Sequence, residues 1–537
     1  MNDYRHALVQ RQFVYSVELV LGRDHSVPEM EQFLEDARTR TDGVRVVSVT
    51  DLPGGRPALP PEFVMTSICE RGLTPIAHLT GKDGNRNFLE GRLHGLARAG
   101  IENILALTGD APREGFEGLA KPVYDLDSVL MLQLIAALRA GLSGSDGKSM
   151  TTPFDFFPGA VVNPYKLREP DQMMQLYKLE LKIASGAQFI ITQLGFNIRK
   201  LYELKQYMTR EGLDTIPVIA NVYVPTATIG RMMRDGTIAG CVVSEGLVDR
   251  LSKEKKPQRL ERAALMVAAA KGLGFAGAHI GGFGLAYRDV AHIIERAEAI
   301  GGAWTDRIDE LMFEMPDEFY LFSRDANGLS DGSGTYQIGQ AASTLPWPQQ
   351  VCLLTNRLLV SDESAGAQFL RARLGMDGTV PEGDAWRHGF WYEFLRRTRK
   401  FKKRYLGCVS CGDCIQDHLT YAGCTMGRCY KELRNGPCGG SRVDGTCEVK
   451  PDQSCVWNLA YQYTLAAMQD PRKFARTLIP PRDWSLYRTN SLANRLAGVD
   501  NYPRRKTLTP SSSSTAEREE QSKETRETDD ADHRRTD

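Results

Sequence analysis

The sequence predicts an α/β protein, a (β/α)8 TIM barrel followed by a small cysteine-rich metal-binding domain and a disordered tail. Short β-rich runs alternate with helical stretches over the first 300 residues or so, and eight of the 11 cysteines fall between Cys408 and Cys455. These patterns place the barrel at 1–315, the cysteine-rich domain at 335–490 and the tail at 505–537.

The barrel prediction depends on eight runs of strand-forming residues. They occupy 13–20, 44–49, 74–79, 103–107, 159–162, 189–192, 217–222 and 277–280. Amphipathic stretches between them end at glycines such as Gly100 and Gly186. Eight βα units in about 290 residues fit a closed barrel better than an open parallel sheet, although spacing alone leaves the open sheet as an alternative.

One glycine motif resembles a dinucleotide-binding fingerprint. Gly272–Gly277 matches G-x-G-x-x-G, but it follows a predicted helix and enters a predicted strand. A dinucleotide fingerprint follows a strand and opens a helix. We therefore interpret the motif as a helix-to-strand turn.

The composition narrows the choice of partners and location. Lysine plus arginine and aspartate plus glutamate each number 67, so no overall charge favours nucleic acid or an anionic membrane. The chain begins with polar residues, and no run of about 18 apolar residues occurs. These features predict a cytoplasmic protein without nucleic-acid or membrane partners, and a homo-oligomer is possible.

Two segments outside the barrel are predicted to lack regular structure. The glycine-rich stretch at 329–334 is expected to be a linker. The chain from Pro510 onward contains no large apolar residue, so it cannot form a core and is expected to be a solvated, disordered tail.

Polar residues follow several of the predicted strands, where the active site of such a barrel lies. They are Glu18, Thr50, Asp51, His78, Asp110, Asn163, Gln193 and Asn221. Glu18 alternates with a bulkier strand face, so it should point into the barrel mouth. Burial there would raise its pKa and suit it to general acid catalysis. The alternative is a buried ion pair with a neighbouring strand.

Several segments carry a resemblance to a known family. SVELV, VVSVTD, PIAHLTGKDGN, GIENILALTGDAP, LKIASGAQFIITQLGF and IPVIANV follow one another over about 13–300. In order and spacing they resemble the methylenetetrahydrofolate reductase family. The later CGDC, NGPCGGS and CEV segments resemble the cysteine-rich C-terminal domain of some bacterial members.

The resemblance implies a flavin at the barrel mouth and a tetrahydrofolate derivative as substrate. It assigns catalytic roles to Glu18, Asp110 and Gln193. It assigns flavin contacts to Thr50, His78, Asp110 and Lys182, with Lys182 approaching the phosphates. FAD is the expected cofactor, and FMN is possible because the chain departs from the family pattern at Thr108, 161–166 and Gln175. The reductant would be NAD(P)H or an electron-transfer protein.

The clustered cysteines indicate metal binding, since disulfides are not expected in a chain without an export signal. The thiols are Cys408, Cys411, Cys414, Cys424, Cys429, Cys438, Cys447 and Cys455. Two successive two-residue gaps, at Cys408, Cys411 and Cys414, favour a [4Fe–4S] cluster over zinc, because structural zinc more often uses two separated pairs. Eight thiols suffice for two four-thiolate sites. Zinc remains the alternative.

Two other functions are compatible with the sequence. The barrel could transfer methyl groups from folate without any flavin. The C-terminal domain could be mainly a structural zinc module or a docking module.

Overall fold

The computed structural model describes residues 3–23, 27–39, 45–142, 152–238, 240–339, 343–361, 364–374, 390–415 and 422–500. The predicted disordered tail at 505–537 lies outside these residues. No helix within them is both long enough and apolar enough to cross a bilayer.

Eight parallel strands close into a barrel in the order of the chain, with β1 beside β8. The strands are β1 (Val14–Leu19), β2 (Val46–Val49), β3 (Thr74–Thr80), β4 (Asn103–Leu107), β5 (Phe157–Val162), β6 (Phe189–Thr192), β7 (Val218–Tyr223) and β8 (Gly277–Gly281). Each lies within or overlaps a predicted run. The (β/α)8 prediction is therefore confirmed, and the open sheet is wrong.

Helices fill the connections between the strands. They are α1 (Asp3–Val9), α2 (Val27–Thr39), α3 (Glu62–Glu70), α4 (Arg86–Arg98), α5 (Ser128–Ala140), α6 (Glu169–Ala184), α7 (Ile198–Arg210), α8 (Ala227–Arg234), α9 (Glu245–Lys253), α10 (Lys256–Gly272) and α11 (Tyr287–Ile300). The G-x-G-x-x-G motif joins the end of α10 to β8, as predicted. Its glycines therefore do not open a helix for a dinucleotide.

The floor of the barrel is apolar. Helix α1 closes this end, and its Tyr4 ring lies 5.4 Å from the ring of Phe189, which stacks on Phe157 at 5.2 Å. A Cβ atom on Gly159 would lie 2.2 Å from the Phe189 ring, so that glycine makes the stacked arrangement possible. Aromatic rings therefore fill much of the floor of the barrel.

This packing gives a stability prediction. Phe189→Ala removes a fully buried ring and leaves a cavity, which should lower the free energy of unfolding by ~3–5 kcal/mol. The control Phe88→Ala removes a ring that is 57% exposed and should change it by less than about 0.5 kcal/mol. Chemical denaturation of both variants measures the difference. Equal destabilisation by the two would contradict the described floor.

The chain after α11 continues along the barrel. A 3-10 helix spans Gly301–Leu311. Leu321 and Phe322 are then fully buried, and their backbone N–H groups donate to the Glu203 carboxylate of α7 at 2.7 and 3.2 Å. The expected linker at 329–334 is part of this packed segment, since Ser330 is only 1% exposed. The linker prediction was wrong because a buried carboxylate on α7 holds the segment in place.

The remaining helices form the C-terminal region. They are α12 (Trp347–Thr355), α13 (Ala365–Leu374), α14 (Phe390–Leu406), α15 (Thr425–Arg428), α16 (Val456–Ala466), α17 (Lys473–Arg476) and α18 (Ser491–Ala497). The region docks on α6 through polar contacts. Tyr461 donates to Glu169 at 2.7 Å, and the Asn458 amide donates to Asp171 at 2.6 Å. Helix α6 is consequently buried between the barrel and the C-terminal region.

Candidate active site at the barrel mouth

A large cavity opens at the carboxyl ends of the strands. Its volume is about 1270 Å³, including the part open to solvent. The six barrel residues to which the sequence assigned catalytic or flavin-binding roles all line it: Glu18, Thr50, His78, Asp110, Lys182 and Gln193. The mouth of the barrel therefore holds one continuous polar site.

Glu18 lies in this cavity without a charged partner. Burial raises its pKa to about 7. Among the described residues none donates a hydrogen bond or forms a salt bridge to its carboxylate, so the ion-pair alternative is not supported. Gly281 of β8 provides the space, because a Cβ atom there would lie 3.1 Å from Oε2 of Glu18. The carboxyl group can therefore hold a proton near neutral pH.

Two histidines lie deeper in the barrel. His78 and Ser48 share a hydrogen bond of 2.6 Å, and His279 and Ser16 share one of 2.9 Å. Burial lowers the pKa of His78 to about 4 and that of His279 to about 3. Both rings are therefore neutral at pH 7. His279 is not among the residues predicted from the sequence, although its alternation with Ala278 and Ile280 in β8 places it inside the barrel.

Two adjacent residues after β2 differ in their roles. Both residues line the cavity. The Thr50 hydroxyl accepts the N–H of Leu21 at 3.1 Å and donates to the carbonyl of Leu19 at 3.5 Å. The Asp51 carboxylate accepts the N–H and hydroxyl of Thr80 and binds Arg92 at 3.0 Å, so it fixes the ends of two strands.

Asp110 and Gln193 occupy different parts of the rim. The Asp110 carboxylate accepts the N–H of Gly54 at 3.1 Å and is otherwise exposed in the cavity. Gly109 before it has a φ of +88°, a conformation that favours glycine. Gln193 follows β6, and its side-chain oxygen accepts the N–H of Leu194 at 3.0 Å. The amide nitrogen of Gln193 can therefore donate hydrogen bonds to a ligand in the cavity.

One wall of the cavity is cationic. Lys178 and Lys182 lie one turn apart on α6, and both line the cavity. Lys182 donates to the carbonyl of Val161, and burial together with the charge of Lys178 lowers its pKa to about 7. Lys178 lies 3.8 Å from Asp127 and donates to the carbonyl of Gly436 at 3.2 Å. Such a wall favours an anionic ligand.

The C-terminal region also lines the mouth. Lys431 reaches in to donate to the carbonyl of Gly109 at 2.8 Å, and it pairs with Glu448 at 2.6 Å. Burial opposes its charge, but Cys438 and Glu448 hold the pKa of Lys431 well above its usual range. Gly439 accepts the Asn163 amide at 3.4 Å. Residues more than 260 positions apart in the chain therefore share one cavity.

The Lys431–Glu448 pair gives a second prediction. Glu448→Gln leaves the Lys431 ammonium buried without its counter-charge, which should cost ~3–5 kcal/mol of unfolding free energy. The matched control is Asp470→Asn, which removes a salt bridge to Arg476 whose two side chains are 59% and 60% exposed. Asp470→Asn should therefore change the free energy of unfolding very little. Thermal unfolding compares the variants, and a neutral Glu448→Gln would contradict the described pair.

Four cysteines form the first thiol set. Cys408, Cys411, Cys414 and Cys424 line one small cavity beneath α14. The N–H of Ser410 donates to the Cys408 sulfur at 3.3 Å, and Lys402 Nζ lies 3.9 Å from the Cys414 sulfur. These donors would stabilise negative charge on the sulfurs.

The other four cysteines form the second thiol set, namely Cys429, Cys438, Cys447 and Cys455. The pKa of Cys429 is raised to about 12. Burial is the main cause, and the nearby Cys438 and Cys447 add to it. Cys438 also lines the barrel-mouth cavity. Helix α15 separates Cys424 of the first set from Cys429 of the second, a distance of roughly 8 Å along a helix axis. The two sets and the mouth are thus neighbours.

The thiol sets are not arranged around a single ion in this structure. In the part of the chain that the structure describes, no three Cys, His, Asp or Glu side chains converge on a point where one metal ion would fit.

The fold and this site together define a TIM-barrel protein whose polar site lies at the carboxyl mouth, where such barrels carry their active sites. A family model described as methylenetetrahydrofolate reductase matches residues 3–271, half of the chain. A second model, described as the methylene-tetrahydrofolate reductase C terminal, matches residues 391–485. The chain belongs to the methylenetetrahydrofolate reductase family, as the sequence motifs indicated.

The chain is also similar to one yeast protein and to one solved structure. Methylenetetrahydrofolate reductase 2 of Saccharomyces cerevisiae is 24% identical over 252 residues, which are 44% of this chain and 39% of the yeast protein. The chain thus matches well under half of that relative's length. A Clostridium thermocellum structure, described as an uncharacterized protein that binds two copies of 5-methyl-5,6,7,8-tetrahydrofolic acid, has a TM-score of 0.40 and 12% identity. That match covers 55% of this chain and 98% of the other.

Proposed function

We propose that the protein catalyses the flavin-dependent reduction of 5,10-methylenetetrahydrofolate to 5-methyltetrahydrofolate, or the reverse reaction. The observation that carries the proposal is Glu18, an unpaired carboxyl group with a pKa of about 7 inside the barrel mouth. A general acid needs a pKa near the working pH. Asp110 and Gln193 on the same rim are the other proposed catalytic residues.

The cavity residues suit a flavin. Thr50, His78 and Asp110 offer polar groups to the ring, and Lys182 would donate a hydrogen bond to the phosphate, whose negative charge would favour the protonated form of the lysine. FAD is the expected form. FMN is the alternative, because the chain departs from the family pattern at Thr108, 161–166 and Gln175.

The residues of the chain prepare the folate for reduction. The one-carbon bridge between N5 and N10 opens to an iminium at N5 once N10 is protonated, and the Glu18 carboxyl group supplies that proton directly or through water. A reduced flavin held by Thr50, His78, Asp110 and Lys182 would supply the hydride. Asp110 orients the pterin through a hydrogen bond, and the Gln193 amide contacts the folate. The balance is two electrons and two protons for each methylene group reduced.

We propose further that the first thiol set holds a [4Fe–4S] cluster and that the second binds another metal centre. The four cysteines of the first set line one cavity beneath α14, and the two successive two-residue gaps at Cys408, Cys411 and Cys414 support this assignment over zinc. The short path from the first set through α15 to Cys438 at the mouth would let electrons reach the flavin site. The reductant would then be an electron-transfer protein, and NAD(P)H is the alternative.

Anaerobic purification tests the cofactor assignment. We expect a yellow-brown protein that releases FAD or FMN on denaturation and contains iron. A colourless protein from flavin-replete cells, with neither flavin nor iron, would favour a methyl-transfer barrel with a structural C-terminal domain. Flavin together with stoichiometric zinc, without iron, would leave the reductase proposal in place and contradict the cluster.

A further inference from the structure

Helix α14 concentrates positive charge on an otherwise neutral chain. Its sequence from Phe390 to Leu406 contains seven lysines and arginines and one acidic residue, Glu393. The chain as a whole has 67 basic and 67 acidic residues. Five of the basic side chains are exposed and form what we call the α14 basic face: Arg396, Arg397, Lys400, Lys403 and Arg404.

Much of this charge is uncompensated. Arg396 and Arg397 pair with Glu393 at 2.5 and 3.5 Å. Lys400, Lys403 and Arg404 have no acidic partner within the described residues. Two aromatic side chains lie beside these basic residues. Trp347 is 55% exposed, and its ring lies 4.7 Å from the ring of Tyr405. Aromatic residues and arginine are enriched at protein-binding surfaces, and the uncompensated positive charge would attract an acidic partner.

The same helix forms a wall of the first thiol set. Thr398, Arg399, Lys402 and Leu406 line the cavity with the four cysteines. The Arg399 side chain donates to the Ser410 hydroxyl at 3.0 Å, and Ser410 in turn donates from its backbone to the Cys408 sulfur. One face of α14 therefore meets the thiols while another presents positive charge to solvent.

We propose that the α14 basic face docks an acidic one-electron carrier protein, which would pass its electrons to the [4Fe–4S] cluster proposed for the first thiol set. This inference rests on the proposed function. Charge complementarity selects an acidic partner, and the shared helix would bring the partner's redox group near the thiols. For every methylene group reduced, two carrier molecules each give up one electron. Two protons are also consumed, one delivered by Glu18 and the other taken from solvent.

The test uses the full-length holoenzyme and a reduced plant-type [2Fe–2S] ferredoxin as the acidic probe. The variant is Lys400→Glu/Lys403→Glu/Arg404→Glu, and its control Lys400→Arg/Lys403→Arg/Arg404→Lys keeps the charge. Stopped-flow oxidation of ferredoxin gives the second-order rate constant at low and high salt. We expect charge reversal to lower it about 10–10³-fold at low salt, with the control unchanged and the difference shrinking as salt rises.

Two further measurements make a failure interpretable. Reduced methyl viologen, a small cationic donor, should support the same folate reduction in both variants, because it does not need the surface. If methyl viologen supports none even in the unmodified protein, the proposed function fails. Equal ferredoxin rates in the reversed and control variants, with methyl viologen active, would overturn the docking proposal alone. So would charge-dependent binding to phosphatidylserine vesicles without any effect on ferredoxin, which would assign the face to a membrane.

Discussion

Replacing Glu18 with glutamine should stop folate reduction while leaving reduction of the flavin intact. Glutamine has nearly the same shape as glutamate, but its amide N–H is not acidic enough to protonate N10. The folate half-reaction should therefore slow by about 10²–10⁴-fold, the range for general acid catalysis. No described side chain hydrogen-bonds to the Glu18 carboxylate, and the change should therefore disturb few contacts. Rapid-reaction kinetics of the two half-reactions, followed by flavin absorbance, separate them.

The pH dependence of the same reaction gives an independent control. Glu18 has a pKa of about 7, so its carboxyl group is protonated below that pH and ionised above it. The rate of folate reduction in the unmodified protein should fall by about tenfold per pH unit above 7. Glu18→Gln should lose this alkaline limb. Near-normal turnover of the variant, or a limb that persists in it, would remove Glu18 from the acid role.

Replacing Cys411 with alanine should destroy the proposed cluster without removing flavin. Cys411 is buried in the wall of the first thiol cavity, and its loss leaves three thiols for a cluster that needs four ligands. The broad absorption near 400 nm expected of an iron–sulfur cluster should fall, together with the iron content. Flavin released on denaturation should be unchanged, because the barrel mouth supplies its contacts.

The matched control is Cys352→Ala, which removes a cysteine of α12 that belongs to neither thiol set. Its spectrum and iron content should equal those of the unmodified protein. Full iron content in both variants would contradict a cluster at the first thiol set. Zinc without iron in the unmodified protein, together with full activity driven by NAD(P)H, would likewise make this set a structural site.

The barrel could be predicted from the sequence because its evidence is local. Each strand is a short run between glycine-ended helices, and the alternation in β1 already pointed Glu18 inward. Thr50, His78, Asp110, Lys182 and Gln193 follow from family motifs and meet in one cavity. Their individual roles remain predictions.

The C-terminal contribution to the mouth could not be predicted in this way. Lys431 and Glu448 look like ordinary surface charges in the sequence, and only the docking of their region on α6 buries them beside Gly109. The same holds for the segment at 329–334. Its glycines indicate a linker, but Glu203 of α7 binds the backbone of Leu321 and Phe322 just before it. Contacts between residues more than 100 positions apart decide these cases, and periodicity carries no information about them.

A single-turnover experiment tests the central claim most directly. The full-length protein is reduced anaerobically, freed of excess reductant and mixed with 5,10-methylenetetrahydrofolate, and 5-methyltetrahydrofolate is then quantified. We expect at least one product molecule for each reduced flavin, with reoxidation of the flavin at the same rate. Reduced, flavin-containing protein that forms no 5-methyltetrahydrofolate, or product formation by protein that contains no flavin, would contradict the account.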